Sequence, residues 1–472
     1  LNNVRPSIGV DFDATVPIVI VGGGAAGLCA ALTVIEAGNS TTNGLELLVV
    51  ERDVIPTGST ALSAGLIPAA GTRFQRDKGI ADSAEQFAAD IARKSHGEAD
   101  PRLVRAASEG AGPAVEWLAG KYGFPFEVID NFNYPGHSAF RMHGLPSRSG
   151  AELIDLLRTA CEQGGLTLLC NSKVTTLYAG TDGRIAGVEI ERDDGSSERI
   201  GCCVLVLACN GYGGNPQLVR ELIPEMANAL YFGHGGNRGD AVLWGRQLGA
   251  GLENLSGYQG HGSVATPHNI LISWAVVTEG GFQVNARGER FCDESRGYSE
   301  QAAEVGIQPG AFAFDIFDER IAGIARQFKD FRDAEAAGSL IRADGVEELA
   351  ARIGVPAGAL GREFADVDEC RRSQRGDRFG RRFDDRAALA APLYAVRVTG
   401  ALFHTQGGLS VDPEMRVLRP DGSAFPNLFA AGGAATGISG SQASGYLSGN
   451  GLLTAVTFGR IAGKSALRFV AN

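Results

Sequence analysis

The clearest pattern in the chain begins at Val16–Val21 (VPIVIV), a short run dominated by β-branched residues with no polar face. Such a run predicts a strand buried on both faces of a parallel sheet. A helical pattern follows over Ala25–Ala37, and a second apolar run, Leu45–Val50, predicts the next strand. Further on, Cys202–Cys209 is the longest undiluted apolar run and has the length of a buried strand, not the ~20 residues of a membrane span. Residues 330–390 change character to Ala-, Arg- and Asp-rich helical patterning, and Glu347, Glu348, Leu349 and Ile353 predict a short amphipathic helix. Strand, helix and strand at the start predict an α/β domain; the later change of pattern predicts a second domain.

Between the first strand and helix lie Gly22, Gly24 and Gly27, giving G-x-G-x-x-G. The first glycine turns the chain, the second lets backbone approach a pyrophosphate, and the third lets helix pack on strand. The phosphates then lie at the positive end of the helix. Glu51 closes the second strand, where a carboxylate accepts ribose hydroxyls. This motif serves both nicotinamide and flavin dinucleotides. The segment after Glu51 is small, polar and glycine-rich, with Thr57, Gly58, Ser59, Ser63 and Gly65, and suits the ribityl chain and ring of a flavin.

Composition narrows the picture. The formal charge is −11 over 472 residues, which argues against a phosphate-tracking nucleic-acid surface. Glycine, at 66 residues, is about twice its usual share of ~7%. The eight cysteines form no C-x-x-C, so a redox dithiol, covalent haem and a clustered iron–sulfur site are not expected. That makes a flavin disulfide reductase a poor fit. Most of the cysteines read as small buried hydrophobes, and the expected compartment is the cytoplasm. The first residues lack the basic-then-apolar signature of a secretory signal.

The motifs VIVGGGAAG, TGSTALSAG, VLVLACNGYGGN, RGDAVLWGRQLGA, NARGERFCDES, FHTQGGL, NLFAAGG and GNGLLTAVTFGRIAG occur in this order. In them the chain resembles the fumarate reductase, succinate dehydrogenase and 3-ketosteroid dehydrogenase superfamily of flavoproteins. The resemblance implies a Rossmann-like FAD-binding domain, residues 1–255 and 396–472, interrupted by an α+β capping domain, 256–395, with substrate held between cap and flavin. It implies an FAD-dependent enzyme acting on a CH–CH bond beside a carbonyl or carboxyl group. Its partners would be a small-molecule substrate and a separate electron donor or acceptor.

By the same resemblance the FAD contacts fall on Gly22, Gly24, Ala25, Ala26, Gly27, Glu51, Arg52, Gly58, Ser59, Thr60, Ser63, Ala64 and Gly65. They continue through Val174, Ala208, Cys209, Asn210, Gly211, Asn215, Asp240, Gly432, Gly433, Gly449, Gly451 and Leu452. Gly433 stands where fumarate reductases often carry Glu. GSTALSAG lacks the histidine that links covalently to FAD in succinate dehydrogenases, so noncovalent FAD is expected and no metal.

The chemistry requires an acid or base for the proton and a group that polarises the activating carbonyl. The resemblance points to His404, in the H-T-x-G-G block, as a carbonyl or carboxylate ligand. His261 stands near a second substrate histidine, with Gly262 in place of the family's Pro. Glu294 and Arg296 resemble a proton-delivery pair, with a spacing one residue short, and Arg320 lies near the proton-donating arginine of the cap. Tyr298 and Tyr446 resemble the acid/base tyrosines of ketosteroid dehydrogenases, and Ser448 completes a Tyr-x-Ser. Fumarate reductases have Arg where this chain has Tyr446. That Arg clamps a carboxylate bidentately, which a phenol cannot do. A ketosteroid-dehydrogenase-like activity is therefore the expectation. A fumarate-reductase-like or tricarballylate-dehydrogenase-like activity on a small acid is the alternative, and a non-enzymatic flavin-bound sensor or assembly module is a further one. The Arg-rich stretch from Arg371 to Arg386, interrupted by Asp377, Asp384 and Asp385, is expected to be a solvated face.

Overall fold

The computed structural model describes residues 3–38, 46–383 and 386–471; Leu45, Asp384 and Asp385 lie outside them. The chain divides into two units. One comprises Leu1–Ile223, Gly233–Tyr258 and His404–Asn472; the other comprises Pro224–Phe232 and Gln259–Phe403. Residues 224–232, read from sequence with the FAD-binding domain, thus fall in the second unit. Leu230–Tyr231 there pairs in parallel with the long strand Leu393–Thr405.

The first unit is built on a parallel sheet whose strands run in the order Thr167–Leu169, Leu47–Val50, Ala14–Val21, Ser197–Leu207. Ser197–Leu207 divides its other edge. Its beginning pairs with the antiparallel strand Ile185–Arg192 and its end with the parallel strand Ala424–Ala430. The register brings the carboxyl ends level: Val21 lies opposite both Val50 and Leu207, and Leu207 opposite Ala430. Ile18, Val19 and Ile20 are fully buried, as a strand covered on both faces requires.

Two helices lie together in this unit: Ala25–Gly38, which follows the glycine turn, and Asn450–Ala471. A Cβ on Gly459 would stand 2.3 Å from the Ala26 carbonyl oxygen, and one on Gly463 2.5 Å from that of Ala30. The helices therefore meet backbone to backbone, which a side chain at either glycine would prevent. Gly27 is equally constrained, since its Cβ would lie 1.9 Å from the Gly22 carbonyl.

The second unit holds a sheet with the order Ile270–Leu271, Tyr258–Ala265, Leu393–Thr405, Ala313–Asp318, Phe282–Val284. Helices Val346–Ile353 and Ala357–Ser373 contribute Leu349 and Leu360 to a core with Phe282, Phe314, Ile316 and Phe383. The first of these helices spans the predicted amphipathic segment.

The Arg-rich stretch departs from expectation. Arg372 is exposed, but Arg381 is only 3% exposed and pairs with Glu294, 87 residues earlier in the chain. A buried carboxylate, not solvent, accounts for that arginine. The cysteines also divide differently. All eight are free thiols, but only Cys29, Cys161 and Cys202 are buried, and Cys203, on the opposite face of its strand, is exposed.

Candidate active site

The level carboxyl ends of the parallel strands bring together segments far apart in sequence, as open α/β sheets do at their ligand sites. Gly22–Gly27 follows one strand, Glu51 the next, Ala208–Gly211 another, and Gly432–Gly433 the last. Hydrogen bonds tie them together. The Gly23 amide donates to Glu51 Oε2 at 2.6 Å, and the Ala25 amide to Thr60 Oγ1 at 3.1 Å. A Cβ on Gly24 would meet only Thr60 Oγ1, at 3.8 Å, which leaves the open backbone that close approach of a pyrophosphate needs.

Ser59 carries a sharper signal. Its Oγ accepts from Asn210 Nδ2 at 3.0 Å and from Asn237 Nδ2 at 2.8 Å. Both lone pairs are then engaged, so its hydroxyl hydrogen has to be donated elsewhere, as a polar ligand would allow. Asn210 sits at φ 64°, a conformation that asparagine tolerates, and a Cβ on Gly433 would lie 2.2 Å from Asn210 Oδ1.

Other residues of the expected FAD set have partners of their own. Arg52 pairs with Asp240. Asn215 caps the helix Pro216–Leu222, accepting from the Gln217 and Leu218 amides and donating to the Arg238 carbonyl. Ser63 closes its own turn, donating to the Thr60 carbonyl and accepting from the Gly65 amide. Gly58 opens the short helix Gly58–Ala61, and Ala64 lies in the turn between Ser63 and Gly65. Val174 is buried in the sheet, and burial pushes the Cys209 thiol up to about 12.

The C-terminal helix supplies the second cluster of this unit. Tyr446 is 5% exposed, and its ring meets His404 edge to face, with centroids 5.6 Å apart. The Gly451 amide donates to the Tyr446 hydroxyl at 3.4 Å. A Cβ on Gly451 would stand 2.6 Å from His404 Nε2, so the ring lies directly against the first turn of the helix; Leu452 follows in that turn. His404 keeps part of its surface open, yet burial of the rest lowers its pKa to about 4 against a small opposing effect of the Thr405 carbonyl. The ring is neutral at pH 7.

Gln406 Nε2 lies 2.8 Å from His404 Nδ1. Gln406 Oε1 accepts from Ser439 Oγ at 2.7 Å, and Ser439 Oγ accepts from Asn450 Nδ2 at 3.0 Å. Asn450 is fully buried, and its Oδ1 has no hydrogen-bond partner among the described residues. An orphaned acceptor at a helix N-terminus fits a ligand with a polar edge. Ser448 is buried, and its carbonyl accepts from His137 Nε2 at 3.0 Å. Gly449 takes φ 85°, a conformation suited to glycine, and a Cβ there would strike Pro68. Gln406, Ser439, Asn450 and His137 were not singled out in the sequence.

In the second unit, His261 stacks on Tyr298, with centroids 4.8 Å apart and planes at 23°; Trp274 meets its edge at 5.6 Å. The Ser263 amide donates to His261 Nδ1, which leaves the ring hydrogen on Nε2, and burial lowers the pKa to about 3. Trp274 Nε1 is buried without an acceptor among the described residues. Glu294 accepts from Arg290 Nε and Nη2, Arg381 Nη1 and the Gln283 amide. Burial alone would raise its pKa, but the two guanidiniums hold it down to about 2. These four bonds use the carboxylate's accepting capacity within the unit. Arg296 is exposed. Arg320, 39% exposed, donates to the Glu279 carbonyl and lies 3.6 Å from its carboxylate.

A family described as FAD binding domain matches residues 17–452, and the chain belongs to that family. It is 29% identical over 471 residues to the probable fumarate reductase Ifc3 of Shewanella frigidimarina, covering 99% of this chain and 77% of that protein. Among solved structures it is similar to the open conformation of a flavocytochrome c3 fumarate reductase. There the TM-score is 0.81 at 28% identity, covering 99% of this chain and 80% of the other. The 3-ketosteroid-Δ4-(5α)-dehydrogenase of Rhodococcus jostii RHA1 shares the fold, with a TM-score of 0.78 at 24% identity and 99% of each chain covered. The protein is an FAD-dependent oxidoreductase. Among the described residues no helix is long and apolar enough to cross a membrane, and no group of His, Cys, Asp and Glu is arranged to hold a metal.

Proposed function

We propose that the protein interconverts a saturated compound and its α,β-unsaturated counterpart, activated by one neutral carbonyl, with a cyclic ketone of the 3-ketosteroid kind as the best-fitting substrate class. The observation that carries this reading is the pair His404 and Tyr446, a neutral imidazole and a phenol set edge to face against the N-terminus of the helix Asn450–Ala471. Neutral donors suit a ketone oxygen that gains charge as the adjacent carbon loses or takes up a proton. A dicarboxylate calls for cationic clamps, and Tyr446 occupies the place of one. His404 would polarise the carbonyl, and Tyr446 would carry the proton or share that polarisation. Tyr298 and His261 stack on each other within the second unit. Glu294 and Arg320 act within the second unit as ion-pair partners. FAD, held noncovalently by the glycine turn, Glu51, Ser59 and the Asn450 turn, would supply the hydride chemistry, and a separate carrier would exchange electrons with it.

A second reading rests on Ifc3: reduction of a small unsaturated acid. The two are separated by one experiment. Anaerobic addition of a 5α-saturated 3-ketosteroid to the purified yellow protein should bleach the oxidised-flavin band. A persistent band, together with reoxidation of the reduced protein by an unsaturated carboxylic acid, would replace the ketone by the acid. FAD released into the supernatant on acid precipitation would establish noncovalent attachment.

A further inference from the structure

The geometry points to Gln406 as a positioning residue that fixes the tautomer of His404, holding its hydrogen on Nε2 through a relay that ends at Ser439 and Asn450. The inference deepens the reading of His404 as a carbonyl donor and rests on it for its functional weight.

The relay has two self-consistent proton arrangements. In one, the Asn450 amide donates to Ser439 Oγ, the Ser439 hydroxyl to Gln406 Oε1, and Gln406 Nε2 to His404 Nδ1. His404 Nε2 then bears the hydrogen and is a donor. In the other, every group is inverted. His404 Nδ1–H donates to the Gln406 oxygen, Gln406 to Ser439, and Ser439 to the Asn450 oxygen. His404 Nε2 is then bare and acts only as an acceptor. Which arrangement holds decides whether the ring polarises a carbonyl or takes a proton.

Two contacts compete at Nδ1. The Thr405 carbonyl lies 3.3 Å away and favours a hydrogen there; Gln406 Nε2 lies 2.8 Å away and favours a bare nitrogen. The shorter contact lies within the usual range of an N–H hydrogen bond, and the longer one lies outside it. In the first arrangement Asn450 Oδ1, which has no partner among the described residues, is left as an acceptor at the helix N-terminus. The tautomer is thus set two residues along the chain and by two side chains beyond.

The test is the ¹⁵N spectrum of the FAD-loaded protein labelled at its seven histidines, with His404→Asn used only for assignment. The expected result is hydrogen on Nε2 at pH 7. Gln406→Glu places a carboxylate, which only accepts, beside Nδ1, and should move the hydrogen there. Turnover should fall about 10²-fold, the usual loss of one donor to a developing oxyanion. If the buried carboxylate prevents folding, Ser439→Ala frees Gln406 Oε1 and should give a mixture of tautomers. Hydrogen on Nδ1 in the unsubstituted protein, or the same tautomer in all variants, would overturn the inference. A switched tautomer with unchanged turnover would leave the relay standing and remove His404 from the proposed chemistry.

Discussion

Replacing Gly451 by alanine isolates the geometry of the proposed carbonyl-binding group. An alanine Cβ would stand 2.6 Å from His404 Nε2 and 2.7 Å from Cε1, against about 3.4 Å for ordinary contact. The ring has to retreat by about 0.8 Å, which stretches or breaks its 2.8 Å bond to Gln406. A misplacement of this size near reacting atoms costs about 10²-fold in rate, or ~2.7 kcal/mol of transition-state stabilisation. The helix itself should gain, since alanine is favoured over glycine by roughly 0.5–1 kcal/mol in a helix. The expected signature is a variant that binds FAD, melts at or near the temperature of the unsubstituted protein and bleaches its flavin about a hundredfold more slowly with whichever substrate the bleaching experiment identifies. Stopped-flow absorbance and a thermal melt read both quantities. Turnover within about threefold of the original would refute the placement of His404 at the reaction centre.

Ser59→Ala removes the acceptor of both Asn210 and Asn237 and one donor toward the cofactor. It should weaken FAD binding by about tenfold, near 1.4 kcal/mol, measured by titration of the apoprotein. Glu294→Gln leaves Arg381 buried beside an uncharged amide and should cost about 3–5 kcal/mol, seen as a lower denaturant midpoint. Because the folded pKa of Glu294 is depressed, its stabilisation is full above the unfolded value near 4.5 and is lost as pH falls toward 2. Asp315 behaves oppositely. It is fully buried, bonded to Ser263 Oγ and Gln283 Nε2, and burial raises its pKa to about 7. The folded state then holds a proton that the unfolded state has lost, so this residue's contribution to stability falls as pH rises from about 4 to 7. Asp315→Asn reproduces the protonated form's hydrogen bonds, and its stability gain over the original should be larger at pH 8 than at pH 5. An equal gain at both pH values would mean that Asp315 does not titrate in that range.

What the sequence made legible was governed by local backbone geometry. Gly22, Gly24 and Gly27 lie within six residues of one another, and their spacing states the turn, the approach and the packing contact together. Glu51 was legible because a strand end is. The Gln406–Ser439–Asn450 relay was not, because its members come from three separate turns and each residue type is unremarkable alone. The surroundings of Glu294 were hidden in the same way. Its motif resembles one that serves substrate chemistry, while its four hydrogen bonds come from three residues, Gln283, Arg290 and Arg381, whose meeting only the folded sheet and its loops reveal. In the Arg-rich stretch, charge density along the chain does not disclose that the Arg381 guanidinium turns inward.

The glycine contact between the helices Ala25–Gly38 and Asn450–Ala471 has a consequence for ligand choice. One helix begins at the diphosphate turn and the other at the turn that carries Asn450 and Gly451. With Gly459 and Gly463 pressed against main-chain atoms of the first helix, no deformable side chain separates them at those points. The two helix origins are held like the jaws of a caliper set at a fixed opening. A molecule is then gauged by its length as well as by the groups at its ends. A longer side chain at either glycine would reset that gauge without touching a single ligand contact.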